Sequence, residues 1–98
     1  MKCNINKEPV ILDCEMEIIC AQWNHDGSIL AIGGIQVIDD KEANIIQFFD
    51  PWGQHLKSLK IPGSRLKACS WESNSLRIVI AIDSLIYFAN LRPTYKVS

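Results

Sequence analysis

A chain of 98 residues is long enough for at most one small domain, or for a piece of a larger one. Its hydrophobic fraction of 48%, beside 21% charged residues, argues against a disordered chain, because that much apolar surface favours burial in a core. The formal net charge of −1 gives no support for a nucleic-acid binder, a class that usually carries a basic face.

The basic residues gather in one stretch, but its pattern is not that of a nucleic-acid site. Pro62-Gly63 interrupts the stretch, and no aromatic residues suited to base stacking lie between the charges. A solvated outer strand and loop is therefore predicted there. The basic residues concerned are Lys57, Lys60, Arg65 and Lys67.

Cysteine usage and the N-terminal stretch bear on the compartment. No apolar run reaches the roughly 18 residues of a membrane span, and the first residues lack the continuous apolar core of a signal peptide. The cysteines Cys3, Cys14, Cys20 and Cys69 form no C-x-x-C pair, and three of them have strand-like surroundings where free cysteine behaves as a small hydrophobe. We expect a reducing, cytoplasmic compartment; disulfides or zinc are the alternative.

The first predicted element is a short strand over residues 9–13, with Pro9 at its entrance as suits a sheet edge. A β-hairpin is predicted next, between Glu17 and Ile35, because two apolar runs flank a turn in which Asp26-Gly27 supplies the positive φ. The second run is apolar on both faces, which indicates a buried strand, and Gly33-Gly34 indicates close backbone approach or a bulge. In the first run one face is predicted to hold Ile19, Ala21 and Trp23, and the other Ile18, Cys20 and Gln22.

The next predicted strands lie on either side of a proline turn. The segment Gln36 to Ala43 is charged and is predicted to be a loop inserted between strands. Asn44 to Phe49 predicts a third strand, which ends at the turn Asp50-Pro51-Trp52-Gly53. His55 to Ile61 predicts a fourth strand whose interspersed lysines suit the wet edge of a sheet.

The layout then repeats. Trp71 follows Trp23 by 48 residues, and Phe88 follows Phe48 by 40. A repeat of roughly 40 to 50 residues made of strands is typical of a β-propeller blade. The predicted fold class is therefore all-β: a partial WD40 β-propeller with about one complete four-stranded antiparallel blade and part of the flanking blades.

The predicted segments are an outer strand of a preceding blade (9–13), a complete blade (17–61) and three strands of the next blade (65–91). The residues after Leu91 are few and contain Pro93, so no fourth strand is expected there. Because two blades cannot close a ring, we expect a fragment, a truncated isoform or an incomplete gene model of a longer protein. Alone, such a chain should aggregate or associate, since its blade faces and the strand edges around Val10 and Leu85 lack partners.

Two groups of residues resemble sites of chemistry. His25 and Asp26 beside Ser28 have the residue types of a hydrolytic constellation, but neighbours in a tight turn rarely face one another, so a plain turn is predicted. The acidic run Asp39-Asp40-Lys41-Glu42 has too few ligands at defined spacing for a calcium loop, and a solvated loop is predicted. We expect no catalytic residue, no metal, no cofactor and no small-molecule substrate.

The aromatic residues are interpreted mainly as packing. Trp23 and Trp71 end inner strands just before turns, a place that favours blade packing over a binding surface, and Phe48 and Phe88 are assigned to packing with them. Trp52, in its Pro-Trp-Gly turn, is equally compatible with a protein contact and with local cover for the sheet edge.

Specific segments resemble a known family. CAQWNHDGSILAIGG, NIIQFFDPWGQHLKSLKIPG and, above all, SLIYFANLRPTYK resemble the last blades of the N-terminal WD40 propeller in the WD repeat protein 35 family, the subunits of intraflagellar transport complex A. The resemblance covers roughly residues 9–96. A more distant similarity is to the WD40 region of tubby-like protein 4. The generic Trp-Asp mark is absent, and Phe48-Phe49-Asp50 stands in its place.

The resemblance implies a non-enzymatic scaffold that works through protein contacts. Implied roles are retrograde ciliary transport, cilium assembly and import of membrane-protein cargo into the cilium. Implied partners are other subunits of complex A, with no nucleic acid and no membrane insertion, and the implied location is the cytoplasm, the ciliary basal body and the axoneme. The alternative is a generic WD40 adaptor that recruits substrates to a ubiquitin ligase.

Overall fold

The structure, a computed structural model, describes residues 12, 14–73, 76–91 and 96–97. In this part of the chain the secondary structure is all β, and eight strands form two four-stranded antiparallel sheets in sequential order. The predicted all-β class is confirmed. The first sheet holds β1 (Glu17–Trp23), β2 (Leu30–Ile38), β3 (Lys41–Phe49) and β4 (His55–Ile61). The second sheet holds β5 (Leu66–Trp71), β6 (Arg77–Ile82), β7 (Leu85–Asn90) and β8 (Lys96–Val97).

The charged segment between β2 and β3 is not a loop, contrary to the sequence prediction. The two strands pair without a break from Leu30 opposite Phe49 to Ile38 opposite Lys41. Only Asp39 and Asp40 form the turn, with φ of 52° and 64°. Positive φ at both central residues is the type I′ requirement, and aspartate tolerates it better than most residues. The prediction gave the charges more weight than the strand formers Val37 and Ile38, which extend the hairpin.

A β-bulge changes which residues of β1 share a face. The register shifts between Ile18 and Cys20, so that Ile18 lies opposite Gly34 and Cys20 opposite Gly33. Ile19 is the extra residue, and after it the side chains of β1 alternate between the two faces in the opposite order. Ile19 itself packs against the main core and not on the face of Trp23. The predicted face assignment is therefore wrong before the bulge, and Ile18 lies on the side of Ala21 and Trp23. An equivalent shift occurs in β5, between Leu66 and Ala68.

The main core lies between the two sheets. Facing strands contribute apolar side chains that are almost fully enclosed, the largest being Phe48, Ile46, Ile61, Ile78, Ile80 and Ile82. A smaller cluster lies on the opposite side of the first sheet, where Ile32 and Phe49 pack with Cys14. The centre of the first sheet is thus covered on both sides, as a central strand such as β2 requires.

The second sheet differs from the sequence expectation at its outer edge. Lys96 and Val97 pair with Asn90 and Ala89 of β7, which makes β8 a fourth strand of two residues. Pro93 argues against a long strand in this segment. It does not prevent two residues after it from pairing with β7. The predicted strand over 9–13 lies outside the described residues, apart from Leu12. No helix in the described part of the chain is long and apolar enough to cross a membrane.

Gly33 sets how closely the sheets approach. A Cβ on this residue would lie 2.9 Å from each of Cys20 Sγ, Ile46 Cδ1 and Leu66 Cδ2. We expect Gly33→Val to lower the free energy of unfolding by about 2 kcal/mol, although valine is the better strand former, because overpacking displaces these neighbours. Chemical denaturation measures the loss. Ala81→Val, at the equivalent place in β6, is the control with little expected effect; equal losses would contradict the close-approach role.

Candidate protein-interaction surfaces

The junction between the sheets shows how one blade of this chain binds another. The ring of Trp71, at the end of β5, packs edge-on against Phe48 of β3, with centroids 6.0 Å apart and planes at 64°. Its Nε1–H donates a hydrogen bond of 3.0 Å to the backbone carbonyl of Gln22 in β1. An aromatic pair and a satisfied indole N–H at one contact fix both distance and orientation. Trp71 and Phe48 therefore both lie at the blade junction.

A buried asparagine ties the same junction through polar contacts. Asn44 of β3 is 3% exposed, and its Oδ1 accepts the Leu66 N–H at 2.8 Å. Its Nδ2 donates to the carbonyl oxygens of Ile61, Gly63 and Ser64. The Asn44 amide thus hydrogen-bonds backbone groups of the link between the sheets that have no backbone partner. Buried polar groups are nearly always satisfied in some such way.

An ion-pair network lies at the end of the junction nearest this asparagine. Arg65 contacts Glu17 of β1 at 2.8 Å and Glu42 of β3 at 2.7 Å, and all three side chains are about half exposed. The hydrogen bonds that the guanidinium donates to Glu17 and, second, to Glu42 raise the pKa of Arg65. Such exposed pairs contribute little stability, but their geometry sets the register of one sheet against the other.

Sequence reasoning missed Asn44 and Arg65. A polar side chain within the apolar strand NIIQFF is a signal for a buried hydrogen-bonding role, because an unpaired amide there would be costly. The signal for Arg65 is its spacing of 48 residues from Glu17, the same as that of the two tryptophans, with opposite charge.

Trp23 occupies in the first sheet the place that Trp71 occupies in the second, yet it is not in the core. Its side chain is 48% exposed and Ile18, on the same side, is 54% exposed. The assignment of Trp23 to blade packing therefore stays a prediction, since the described residues place no second sheet against this side of the first sheet. Leu12, Cys14 and Met16 cover other parts of this side. We call the uncovered part the tryptophan face; it consists of Ile18, Ala21 and Trp23.

Phe88 lies on the opposite end of the two-sheet stack. Its ring is half-buried, and the guanidinium carbon of Arg77 lies 4.6 Å from the ring centroid, a cation–π contact. Ile86, two residues earlier on the same side of β7, is 54% exposed. Phe88 thus packs with Arg77, on the side turned away from the first sheet. We call this side the phenylalanine face; it consists of Val79, Ala81, Ile86 and Phe88.

Trp52 projects from the turn between β3 and β4. The Asp50 carboxylate accepts the backbone N–H groups of Trp52 at 3.0 Å and Gln54 at 2.8 Å, which holds the turn rigid, and Gly53 takes φ of 89°. The indole is 81% exposed. A large exposed aromatic residue on a rigid turn has the properties of a protein-contact residue.

The polar turn after β1 is built by its own side chains. Asn24, 6% exposed, accepts the N–H groups of Ser28 and Ile29 at 2.9 and 3.0 Å. Asp26 accepts the Ser28 hydroxyl at 2.6 Å, and this hydrogen bond lowers the pKa of the carboxyl. The serine proton therefore points to Asp26 and not to His25, so the arrangement stabilises a turn rather than activating a nucleophile. Among the residues the structure describes, no cluster could hold a metal ion.

Two thiols meet between the inner strands. Cys20 of β1 is half-buried and Cys69 of β5 is buried, and a hydrogen bond links their side chains. This bond from Cys69 lowers the pKa of Cys20, and it also raises that of Cys69, where burial adds to the effect. The proton therefore stays on Cys69 and the thiolate forms at Cys20.

Cys20 is accordingly expected to react with iodoacetamide at lower pH than an ordinary thiol. A lowered pKa increases the thiolate fraction at a given pH, and the thiolate is the nucleophile. The alkylation rate of the Cys20 peptide against pH, followed by mass spectrometry, measures the midpoint. Cys69→Ala should move that midpoint upward because the hydrogen-bond donor is removed. An unchanged midpoint in this variant would contradict the assignment.

The two sheets follow one another along the chain and pack face to face, which defines a segment of a β-propeller. Among protein families, residues 1–92 match the one described as WDR35/TULP4 N-terminal. WD repeat-containing protein 35 of human, rat and mouse is in each case 50% identical over 93 residues, which are 93% of this chain and 8% of the relative. The chain therefore belongs to the WDR35/TULP4 N-terminal β-propeller family, and the predicted resemblance is confirmed. It spans about 8% of the length of these relatives.

Proposed function

We propose that this chain is a non-enzymatic scaffold segment of an intraflagellar transport complex A subunit. It would supply two adjoining blades whose exposed turns and faces bind other proteins. Its roles would be retrograde ciliary transport, cilium assembly and import of cargo into the cilium. Membership of a WD-repeat scaffold family supports the general role, and the finer role is inferred from the resemblance.

The observation that carries the proposal is the identity of 50% with WD repeat-containing protein 35 across 93 residues. A match of this extent takes in 93% of the chain and therefore includes both blades. The partners proposed are other subunits of complex A, and the proposed location is the cytoplasm together with the ciliary basal body and axoneme.

A second candidate is a WD40 adaptor that recruits substrates to a ubiquitin ligase. The family description joins WDR35 with TULP4, and this shared description is the observation that favours it. The adaptor would use the same exposed turns. The two candidates differ in the proteins found beside them in the cell.

Proximity labelling in ciliated cells separates the candidates. The full 98-residue chain is fused to a biotin ligase, and the labelled proteins are identified at the basal body and in the cytoplasm. Enrichment of ciliary transport subunits would support the scaffold role. Enrichment of ubiquitin-ligase subunits without transport subunits would overturn it in favour of the adaptor, and enrichment of neither would overturn both.

Trp52→Ala is expected to reduce labelling of the partners severalfold without unfolding the chain. The indole is 81% exposed, so its removal should change the free energy of unfolding by less than about 0.5 kcal/mol, whereas exposed tryptophans are frequent binding hot spots. Gln54→Ala, an exposed residue of the same turn, is the matched control. Unchanged labelling by Trp52→Ala would assign the indole to local cover of the sheet edge.

A further inference from the structure

The junction between the sheets brings two cysteine side chains face to face. Cys20 lies opposite Gly33 in the β1–β2 ladder, so its side chain is on the side of the first sheet that Leu66 covers. Cys69 is on the same side of β5 as Leu66, because the bulge of β5 falls between them and both are buried in the main core. The two sulfur atoms therefore meet inside the junction, where a hydrogen bond links them.

The strands that carry the two cysteines approach closely. β1 and β5 are each the edge strand of their sheet, and they contact one another more extensively than β2 contacts β5. A disulfide requires Cα atoms about 4.4 to 6.8 Å apart, so it forms only where two backbones come close together. Gly33 permits such an approach, since a Cβ there would lie 2.9 Å from both Cys20 Sγ and Leu66 Cδ2. The junction thus has the close strand contact that a disulfide between the sheets needs.

The repeat of the blade does not itself call for these thiols. Ala68 stands 48 residues after Cys20, and Ala21 stands 48 residues before Cys69. The bulges of β1 and β5 fall at equivalent places, so these alanines occupy the equivalent strand positions of the other sheet. The two cysteines therefore add a thiol at positions where the strand needs only a small side chain.

The two thiols differ as a nucleophile differs from its partner. Hydrogen bonds lower the pKa of Cys20 against the effect of burial; the largest comes from the Cys69 thiol, and others come from the backbone N–H groups of Gly33 and Cys69. Cys20 is half-buried, whereas Cys69 is 4% exposed. A small oxidant can therefore reach Cys20, which carries the reactive thiolate, while Cys69 stays protonated in contact with the Cys20 sulfur.

We propose that Cys20 and Cys69 are a modification site at which a small hydroperoxide, such as hydrogen peroxide, forms a disulfide between the two sheets. The Cys20 thiolate attacks a peroxide oxygen: the S–O bond forms, the O–O bond breaks, and the leaving hydroxide takes the Cys69 proton to become water. The Cys69 thiolate then attacks the Cys20 sulfenic acid. The S–S bond forms, the S–O bond breaks, and a proton from solvent completes a second water. The two sulfurs are oxidised and the peroxide is reduced.

The disulfide closes a long loop, because Cys20 and Cys69 are 49 positions apart along the chain. A bond across a loop of that length strongly restricts the unfolded chain. It also ties β1 to β5, through which the two sheets meet. A dithiol reductant restores the free thiols, as with other transient disulfides of reducing compartments. Oxidation therefore makes the contact between the blades harder to separate, and reduction reverses the change.

Treatment of the 98-residue chain with hydrogen peroxide at low protein concentration, followed by mass spectrometry of the unreduced digest, tests the proposal. A protease that cuts after Glu17 separates Cys14 from Cys20, so the linked peptides identify the partners. The expected product has lost two hydrogen atoms, links Cys20 to Cys69 within one chain, and regains its mass with dithiothreitol. Its thermal midpoint should lie about 10 °C above that of the reduced chain. Cys14→Ala is the matched control and should form the same link.

Single variants test the order of the two steps. Cys69→Ser keeps a hydrogen-bond donor toward Cys20 but has no resolving thiol, so dimedone should trap severalfold more sulfenic acid at Cys20 than in the natural chain. Cys20→Ser should leave Cys69 unoxidised at the same peroxide concentration. Circular dichroism checks that each variant keeps its sheet content.

Three results would overturn the proposal. The first is a natural chain in which Cys20 forms no link to Cys69, or links mainly to Cys14 or to another chain. The second is a sulfenic acid that forms at Cys69 in Cys20→Ser as readily as at Cys20 in Cys69→Ser. The third is an oxidised chain that carries the link and yet melts no higher than the reduced chain, because the bond would then not hold the sheets together.

Discussion

Replacing Trp71 by alanine is expected to lower the free energy of unfolding by about 3 kcal/mol, near the lower end for a buried aromatic residue because the ring is only half-buried. The substitution removes the contact with Phe48 at 6.0 Å and the hydrogen bond to Gln22, both of which join one sheet to the other. A loss of this size is comparable with the total stability of a small domain.

Chemical denaturation at low, fixed protein concentration measures the effect of Trp71→Ala. Trp52→Ala is the matched control, since the same indole is removed from a site that is 81% exposed. Trp71→Phe should recover part of the stability because the apolar ring remains while the hydrogen bond to Gln22 is lost. A loss below about 1 kcal/mol for Trp71→Ala would show that the sheets do not depend on this contact.

Asn44→Ala is expected to cost a similar amount, about 3 kcal/mol, for a different reason. The amide satisfies the N–H of Leu66 and carbonyl groups of the link between the sheets, and its loss leaves several of these groups without a partner in a largely buried place. Asn44→Asp should be at least as harmful, because it removes the donor and brings a charge into the junction.

The comparison for Asn44→Ala is Asn90→Ala, which truncates an exposed asparagine of β7. Asn90→Ala should change the free energy of unfolding by less than about 0.5 kcal/mol, the usual range for the surface. Equal midpoints of denaturation for the two variants would refute the structural role of Asn44. Hydrogen exchange at the Leu66 amide gives a local reading, since its protection should fall in Asn44→Ala.

Much of the strand pattern could be predicted because it is local. Alternation and turn residues such as Asp26-Gly27 and Pro51 act over a few neighbours, and the structure has strands on both sides of each. The failures arise where two local signals compete. Val37 and Ile38 favoured a strand while the surrounding charges suggested a loop, and the pairing of β2 with β3 decided for the strand.

The bulge near Ile19 and the exposure of Trp23 could not be predicted from local pattern. A bulge depends on how two strands meet, and the burial of a tryptophan at a blade face depends on a neighbouring sheet that the local sequence does not describe. The same holds for Arg65 and Asn44, whose partners come from other strands. Residue types in one segment do not reveal which distant carbonyl or carboxylate they will meet.

The two-residue turn at Asp39 and Asp40 has a consequence for the route by which the chain folds. It closes the smallest loop that can join two strands, and the β2–β3 ladder that it starts is nine residues long on each side. Hairpins of this kind form within about 1 to 10 microseconds, whereas contacts between the sheets must first bring together residues such as Gln22 and Trp71. The β2–β3 hairpin can therefore order before the sheets meet, and so can the β6–β7 hairpin, whose strands pair as far as Ile82 opposite Leu85. Each sheet then has a preformed central hairpin on which its other strands can assemble.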